Sequence, residues 1–174
     1  RKVYKIPWVR KKLHKIAGKK LKALFGDALR FYGVGGAPLA PDVEKFLREG
    51  GFPYSIGYGT TETAPLIAGA APFNTKYRST GPAFKGMDVK IDNPNPETGE
   101  GEIIVKGISV MIGYYLDKDL TAEAFTPDGW YKTGDLGVLD KDNYLYIRGR
   151  LKNMIIGASG ENIYPEEIET FFYE

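Results

Sequence analysis

Residues 29–65 read LRFYGVGGAPLAPDVEKFLREGGFPYSIGYGTTETAP, and the order of textures along that stretch decides the fold. Leu29 to Val34 is a short apolar, aromatic run with the composition of a strand. Gly35-Gly36-Ala37-Pro38 turns the chain, and Ala40 to Arg48 follows a helical pattern stopped by Gly50-Gly51. Phe52 to Tyr58 reads as a second strand. Strand, glycine turn, helix and strand in that order make a parallel α/β unit. Its two glycine-bearing loops, 35–38 and 57–61, fall at the carboxyl ends of the strands, where such sheets take their ligands.

Downstream of Pro72 the texture changes to short strands punctuated by Gly, Pro and Asn. Val89 to Asp92, Gly101 to Lys106, Ser109 to Tyr115, Gly137 to Leu139 and Tyr144 to Arg148 are the candidates. Their spacing predicts an antiparallel β subdomain, either a compact sheet or a small distorted barrel. Asp92 to Gly101 (DNPNPETGEG) reads as a hairpin tip. Gly157 to Gly160 (GASG) breaks the chain, and Tyr164-Pro165-Glu166-Glu167 has proline and acids where a helix opens. Upstream, Val9, Leu13, Ile16, Ala17, Leu21, Leu24 and Phe25 recur at three- and four-residue steps with lysines between them. That is an amphipathic helix over Pro7 to Phe25, either packed on the body or lying on an anionic membrane surface. His14 belongs to it as a solvated or satisfied bystander. The expected architecture is mixed α/β: a basic helical leader (1–28), a partial parallel unit (29–72), the antiparallel subdomain (73–149), and the start of a hinged C-terminal domain (150–174).

Composition narrows the function classes. The 174 residues include no cysteine, which excludes disulfide and thiolate chemistry and fits a reducing, cytoplasmic compartment. A single histidine leaves no His-rich metal site and no Ser-His-Asp triad. No apolar run reaches the roughly 18 residues of a membrane-crossing helix. The net charge of +2 conceals an asymmetry: residues 1–30 carry 11 Lys and Arg against Asp27 alone. A basic leader on an acidic body suits an anionic partner. The chain opens on Arg1-Lys2 and stops at Glu174 inside an amphipathic pattern, so it reads as a piece of something longer.

The residues able to carry chemistry begin in Ser55 to Pro65, SIGYGTTETAP. Tyr58 stands between Gly57 and Gly59, so a flat ligand could approach the backbone while the ring stacks on it. Hydroxyls at Thr60, Thr61 and Thr63 beside the carboxylate of Glu62 suit a phosphate and its Mg²⁺. The string is read either as a purine nucleotide site with a metal or as a glycine-rich turn after a strand. In Gly129 to Gly137, GWYKTGDLG, Asp135 on a glycine-flanked turn can accept from two vicinal hydroxyls, or cap its own backbone. The strand YLYIRGR, Tyr144 to Arg150, delivers Arg148 and Arg150 to grip ribose or phosphate oxygens, or to stand in solvent.

In their order, SIGYGTTET (55–63), GEIIVKGISVMIGYY (101–115), GWYKTGDLG (129–137) and YLYIRGRLKNMIIGASGENIYPEEIE (144–169) resemble the adenylate-forming superfamily. That family holds acyl-CoA synthetases, adenylation domains of peptide synthetases and luciferases. The resemblance runs from Leu29 to Glu174. LHKIAGKKLKALFG (13–26) followed by LRFYGVGGAPLAPDVEKFL (29–47) looks most like bacterial long-chain fatty acyl-CoA synthetases.

The resemblance implies roles. Tyr58 stacks near the adenine, with Gly36 and Ala37 lining the same pocket and Gly59 and Thr60 beside it. Thr61 contacts phosphate and Glu62 binds Mg²⁺. Asp135 holds the ribose hydroxyls, with Arg150 next to it. Lys152 matches the hinge of the small C-terminal domain, and Gly160 lies in the loop along the pantetheine path. The implied reactants are ATP with Mg²⁺, a fatty acid and CoA, and nothing points to nucleic acid. An aryl or amino acid substrate, and a non-catalytic nucleotide-binding or membrane-surface module, are the alternatives. The family's phosphate loop, which precedes these motifs, and its C-terminal adenylation lysine, which follows them, have no counterpart in residues 1–174. The expectation is that this stretch alone forms no acyl-adenylate.

Overall fold

The computed structural model describes residues 5–26, 28–157, 162–165 and 168. Helix α1 (Pro7–Leu24) starts on proline, whose missing N–H costs nothing in a first turn. It buries only part of its apolar stripe, with Val9, Ala17 and Leu21 half-buried. His14 and Gly18 are its buried residues, whereas Leu13, Ile16 and Leu24 are exposed. The reason is a close backbone crossing with α2 (Pro41–Gly50): a Cβ on Gly18 would lie 2.4 Å from the Gly50 carbonyl oxygen. Leu21 completes the contact against a cluster of Leu47, Phe52 and Tyr54. The leader is therefore packed on the body, and His14 is satisfied there by Glu49, 2.8 Å from its Nδ1.

The parallel unit forms as the punctuation predicts. β1 (Tyr32–Val34) and β2 (Tyr54–Tyr58) pair in parallel with Tyr32 opposite Tyr54 and Val34 opposite Ile56. Between them α2 carries Asp42 and Glu44 in its first turn and ends at Gly51, whose φ of 68° forms a left-handed cap. β2 then meets β3 (Ala68–Gly69) in antiparallel fashion, Tyr58 opposite Ala68. The loop between them, residues 59–67, holds the GTTETAP part of the motif (59–65).

The second sheet is open. β4 (Met87–Asp92), β5 (Gly101–Gly107), β6 (Tyr131–Leu139) and β7 (Leu145–Arg150) lie in sequence order, each antiparallel to the next. The barrel expectation is corrected here: among the described residues no ladder joins β4 to β7. The outer edge of β7 is occupied instead by residues 79–83, through Leu145 N–H to Gly81 O (3.0 Å) and Thr80 N–H to Leu145 O (2.9 Å). The same segment bonds β3 through Gly69 N–H to Pro82 O (3.0 Å), so it joins the two sheets. Ile67, Ala68, Met87, Ile103, Val105, Tyr131 and Leu145 form the core beneath that junction.

Two further expectations change. Ser109 to Tyr115 is a loop, not a strand; its Met111 N–H bonds the Glu62 carbonyl (2.7 Å), and Ile112 and Tyr115 stand in solvent. It leads into α3 (Lys118–Ala124), a helix that the strand pattern hid and that Asp117 caps by accepting from Leu120 N–H at 2.9 Å. Asp92 to Gly101 is the tip of the β4–β5 hairpin, where Asn95 Oδ1 accepts from Glu97 N–H (2.8 Å) and Thr98 N–H (3.1 Å). Beyond β7, β8 (Ile155–Ile156) pairs antiparallel with β9 (Asn162–Ile163). Gly160, and most of the helix expected from Pro165, lie outside the described residues. No helix among the described residues is long and apolar enough to cross a membrane.

Candidate functional site

Three segments distant in sequence converge where the sheets join. Tyr58 closes β2, Asp135 lies within β6, and Arg150 ends β7 directly opposite Asp135 in the ladder. The Tyr58 hydroxyl donates to Asp135 Oδ2 at 2.7 Å, and Arg150 Nε forms an ion pair with Oδ1 at 3.0 Å. Asp135 is thus a strand residue rather than a turn residue. The glycines around it mark irregular strand: Gly134 has a φ of 70°, and the β6–β7 register shifts between Leu136 and Gly137. That shift separates the two arginines. Arg148 pairs with Glu100 at 3.1 Å, leaving Arg150 alone of the two on Asp135.

The electrostatics of this group are unequal. Asp135 is 6% exposed, while the Arg150 side chain is 63% exposed. Burial pushes the Asp135 carboxyl above its ordinary pKa, against the opposing pull of the Tyr58 hydrogen bond and the Arg150 charge. Burial and the neighbouring Asp135 carboxylate likewise raise the Tyr58 phenol, which therefore remains a donor. A carboxylate with a guanidinium and a phenol on its two oxygens keeps lone pairs for further donors. The loop of Gly35, Gly36 and Ala37 lies alongside: a Cβ on Gly35 would stand 3.5 Å from the Gly57 carbonyl oxygen. Gly36, with φ of 81°, makes that turn.

The motif after β2 splits into structural and available groups. Gly59 has no room for a side chain, since a Cβ would overlap the Pro65 carbonyl. Thr63 is fully buried, with its hydroxyl donating to Thr60 O (2.9 Å) and accepting from Thr60 N–H (3.0 Å). That corrects its reading as a phosphate ligand: it holds the loop. Thr61 is exposed, whereas Thr60 is half-buried and forms a capping box with Thr63.

Glu62 is oriented by a residue that the sequence reading placed in a strand. Tyr114 donates its hydroxyl to Glu62 Oε1 at 3.0 Å. Burial raises the Glu62 carboxyl, but hydrogen bonds from its own backbone, Tyr114, Thr60 and Tyr131 outweigh burial and hold it below the usual range. Buried Tyr131 is pushed up to about 12, first by desolvation. Among the described residues no three His, Cys, Asp or Glu side chains gather as a metal cage. A lone ionised carboxylate fits Mg²⁺, which takes one or two carboxylates and completes its shell with water and phosphate oxygens. Lys152 stands exposed on the turn that follows β7, separated from Arg150 only by Leu151, whose N–H bonds Gly134 O at 2.8 Å.

Residues 6–115 match the family described as AMP-binding enzyme. The chain belongs to the AMP-binding enzymes. Among curated relatives of this AMP-binding chain, the 2-succinylbenzoate–CoA ligase of Enterococcus faecalis is 42% identical over 143 residues, covering 78% of this chain and 29% of that protein. The long-chain-fatty-acid–CoA ligase FadD15 of Mycobacterium bovis is 38% identical over 151 residues, covering 87% of this chain and 24% of its own length. Among solved structures, O-succinylbenzoate-CoA synthetase (MenE) of Bacillus subtilis with its acyl-adenylate intermediate superposes with a TM-score of 0.76 at 34% identity, over 88% of this chain and 34% of that one. The same enzyme with ATP and magnesium ion gives 0.75 at 37% identity, over 84% of this chain and 31% of that one. The chain therefore spans about a quarter to a third of the length of these relatives.

Proposed function

We propose that this chain supplies the nucleotide-binding part of an ATP-dependent acid–CoA ligase. The observation that carries the reading is the meeting of Tyr58, Asp135 and Arg150 at one junction, in a chain of the AMP-binding family. The Tyr58 ring offers a face to the adenine, with Gly36 and Ala37 as the opposite wall. Asp135 accepts hydrogen bonds from the two ribose hydroxyls on its unoccupied lone pairs. Arg150, half in solvent, reaches ribose or phosphate oxygens. Thr60 and Thr61 offer hydroxyls to the phosphates. Glu62 would hold Mg²⁺ together with phosphate oxygens, and the ion would supply charge neutralisation on the triphosphate. Lys152 would be the pivot of the following domain, and Gly160 part of the path of the CoA arm.

The chemistry is two displacements. A carboxylate oxygen attacks the α-phosphorus of ATP, the bond to the β-phosphate oxygen breaks, and pyrophosphate leaves with an acyl-adenylate remaining. A thiol sulfur then attacks the acyl carbon and AMP departs. These side chains contribute position and charge complementarity rather than covalent steps.

For the acid we propose a long-chain fatty acid, supported by the likeness to FadD15 and by residues 13–47. A second reading, an aromatic acid, has support of its own from the likeness to the succinylbenzoate ligases. Pyrophosphate release by the protein at its natural length, assayed against palmitate, 2-succinylbenzoate and amino acids, tests both. Turnover confined to palmitate supports the first reading and turnover confined to succinylbenzoate the second. No release with any carboxylate, together with no AMP binding, overturns the ligase proposal.

A further inference from the structure

A second concavity of the molecule uses none of the residues around Asp135. Where α1 crosses α2, a cleft of about 580 Å³ is bounded by Lys11, Lys15, Lys45, Arg48, Glu49 and Tyr77. Lys11 and Lys15 are one helical turn apart and share a face of α1; Lys45 and Arg48 do the same on α2. The close Gly18–Gly50 crossing fixes the two helices relative to each other, so four cations converge on one hollow. Among the described residues, Lys11, Lys15 and Lys45 form no ion pair with a carboxylate.

Glu49, the carboxylate of the wall, is already committed elsewhere. Arg10 donates through Nη2 to its Oε1 (2.8 Å) and through Nε to its Oε2 (3.0 Å), and His14 Nδ1 also lies 2.8 Å from Oε2. Its charge is answered from the α1–α2 interface and does not neutralise the lysines. Arg48 is held in place by bonds from Nη1 to the Thr75 carbonyl at 2.7 Å and hydroxyl at 3.5 Å, which leave N–H groups on Nε and Nη2. Tyr77, anchored by its hydroxyl to Pro41 O at 3.2 Å, closes the rim. Like charges set together on rigid helices repel one another until an anion joins them. Several oxygens spread over a tetrahedral group match three point charges and a guanidinium fork better than a single carboxylate does.

We propose that this cleft binds a multiply charged phosphate group, carried either by a free polyphosphate or by an anionic lipid headgroup. The proposal is independent of the ligase reading, since it uses none of the residues assigned to the nucleotide.

The test is run on the protein at its natural length with two probes. Inorganic tripolyphosphate is titrated by calorimetry. Phosphatidylcholine vesicles with and without phosphatidic acid, whose phosphomonoester can carry two charges, are used in sedimentation. Two double variants are compared: Lys15→Ala with Lys45→Ala inside the cleft, and Lys12→Ala with Lys19→Ala on α1 outside it. Both remove the same charge. The cleft pair is expected to weaken binding about tenfold or more and the control pair by less than about twofold. The probe that shows this difference names the source: tripolyphosphate alone a free anion, phosphatidic acid vesicles a headgroup. Equal loss in both pairs, or binding of neither probe at low salt, overturns the proposal.

Discussion

Tyr58 and Asp135, 77 residues apart in sequence, meet through a 2.7 Å hydrogen bond across the junction of the two sheets. This bond ties the ring that would face a nucleobase to the carboxylate that would face a ribose. Ring orientation and carboxylate position are thereby one structural fact. Removing the hydroxyl by Tyr58→Phe keeps the ring but leaves a buried carboxylate short of a donor, which costs about 1–3 kcal/mol. The expected result is an unfolding free energy from urea titration lower by that amount, a further rise in the Asp135 pKa, and AMP affinity weakened less than by Asp135→Ala. AMP binding that survives Asp135→Ala unchanged would remove Asp135 from the site.

The crossing of α1 and α2 makes a second prediction, in which two effects oppose. Gly18→Ala should favour α1 by about 1 kcal/mol through helix propensity. Against that, the new methyl would sit 2.4 Å from a backbone oxygen of α2, which has no flexible side chain to move aside. Overpacking of that kind costs about 1–3 kcal/mol, so the net change should be destabilising. A denaturant midpoint for Gly18→Ala at or above wild type would mean that the helices do not cross so closely. Protease sensitivity confined to residues 7–24 would report the predicted separation of α1.

The strand–helix–strand unit is legible because proline and glycine stand at its boundaries: Pro41 opens α2 and Gly50-Gly51 ends it. The chemistry around Asp135 is legible as a set of residues but not as a geometry. Glycines 134 and 137 read as turn formers, whereas here they belong to the bulged region of a nine-residue strand. Tyr114 is visible within GISVMIGYY, yet its partner Glu62 lies 52 residues away, and alternation in that run suggests a strand. The outward face of α1 is also unreadable from periodicity. The stripe marks which residues are apolar, but a small residue at Gly18 decides which face comes closest to α2.

Lys76 fastens the segment after β3 to the β6–β7 turn, bonding Asp142 at 2.7 Å and Asp140 as well, with Tyr144 beneath its ammonium at 4.2 Å. The hydrogen bond from Lys76 is the main cause holding the Asp140 carboxyl down at about 2, against an ordinary 3.8; the same carboxylates raise the lysine. A depressed acid contributes stability that is present above its unfolded pKa and lost as pH falls through the folded one. The window is therefore about pH 4 down to about pH 2. Asp140→Asn retains the Oδ1 acceptor for the Asp142 and Tyr144 amides and removes the charge together with the Oδ2 acceptor for Lys76. Its urea midpoint should lie below wild type at pH 6 and converge with it near pH 2. Because the groups are solvent-exposed, the gap should be small and should shrink with salt. A gap that persists at pH 2 would assign the effect to packing.

Glu62 and Tyr114 separate metal dependence from nucleotide binding. Glu62→Gln removes the charge that would hold Mg²⁺ while preserving an oxygen for the Tyr114 hydroxyl. AMP, which binds without a metal, should keep its affinity within about twofold, because ring, ribose carboxylate and Arg150 are untouched. Mg²⁺-dependent pyrophosphate release by the protein at its natural length should fall by about a hundredfold or more, the scale of one lost electrostatic contact in a transition state. Tyr114→Phe is the milder probe. It takes away one of the hydrogen bonds that keep Glu62 below the ordinary carboxylate range, so the Glu62 pKa should rise. The Mg²⁺ concentration needed for half-maximal release should then increase, most visibly at acidic pH where the carboxylate begins to protonate. Excess Mg²⁺ should restore the rate of Tyr114→Phe but not that of Glu62→Gln. Rescue of both, or of neither, would mean that Tyr114 does not act through the Glu62 carboxylate.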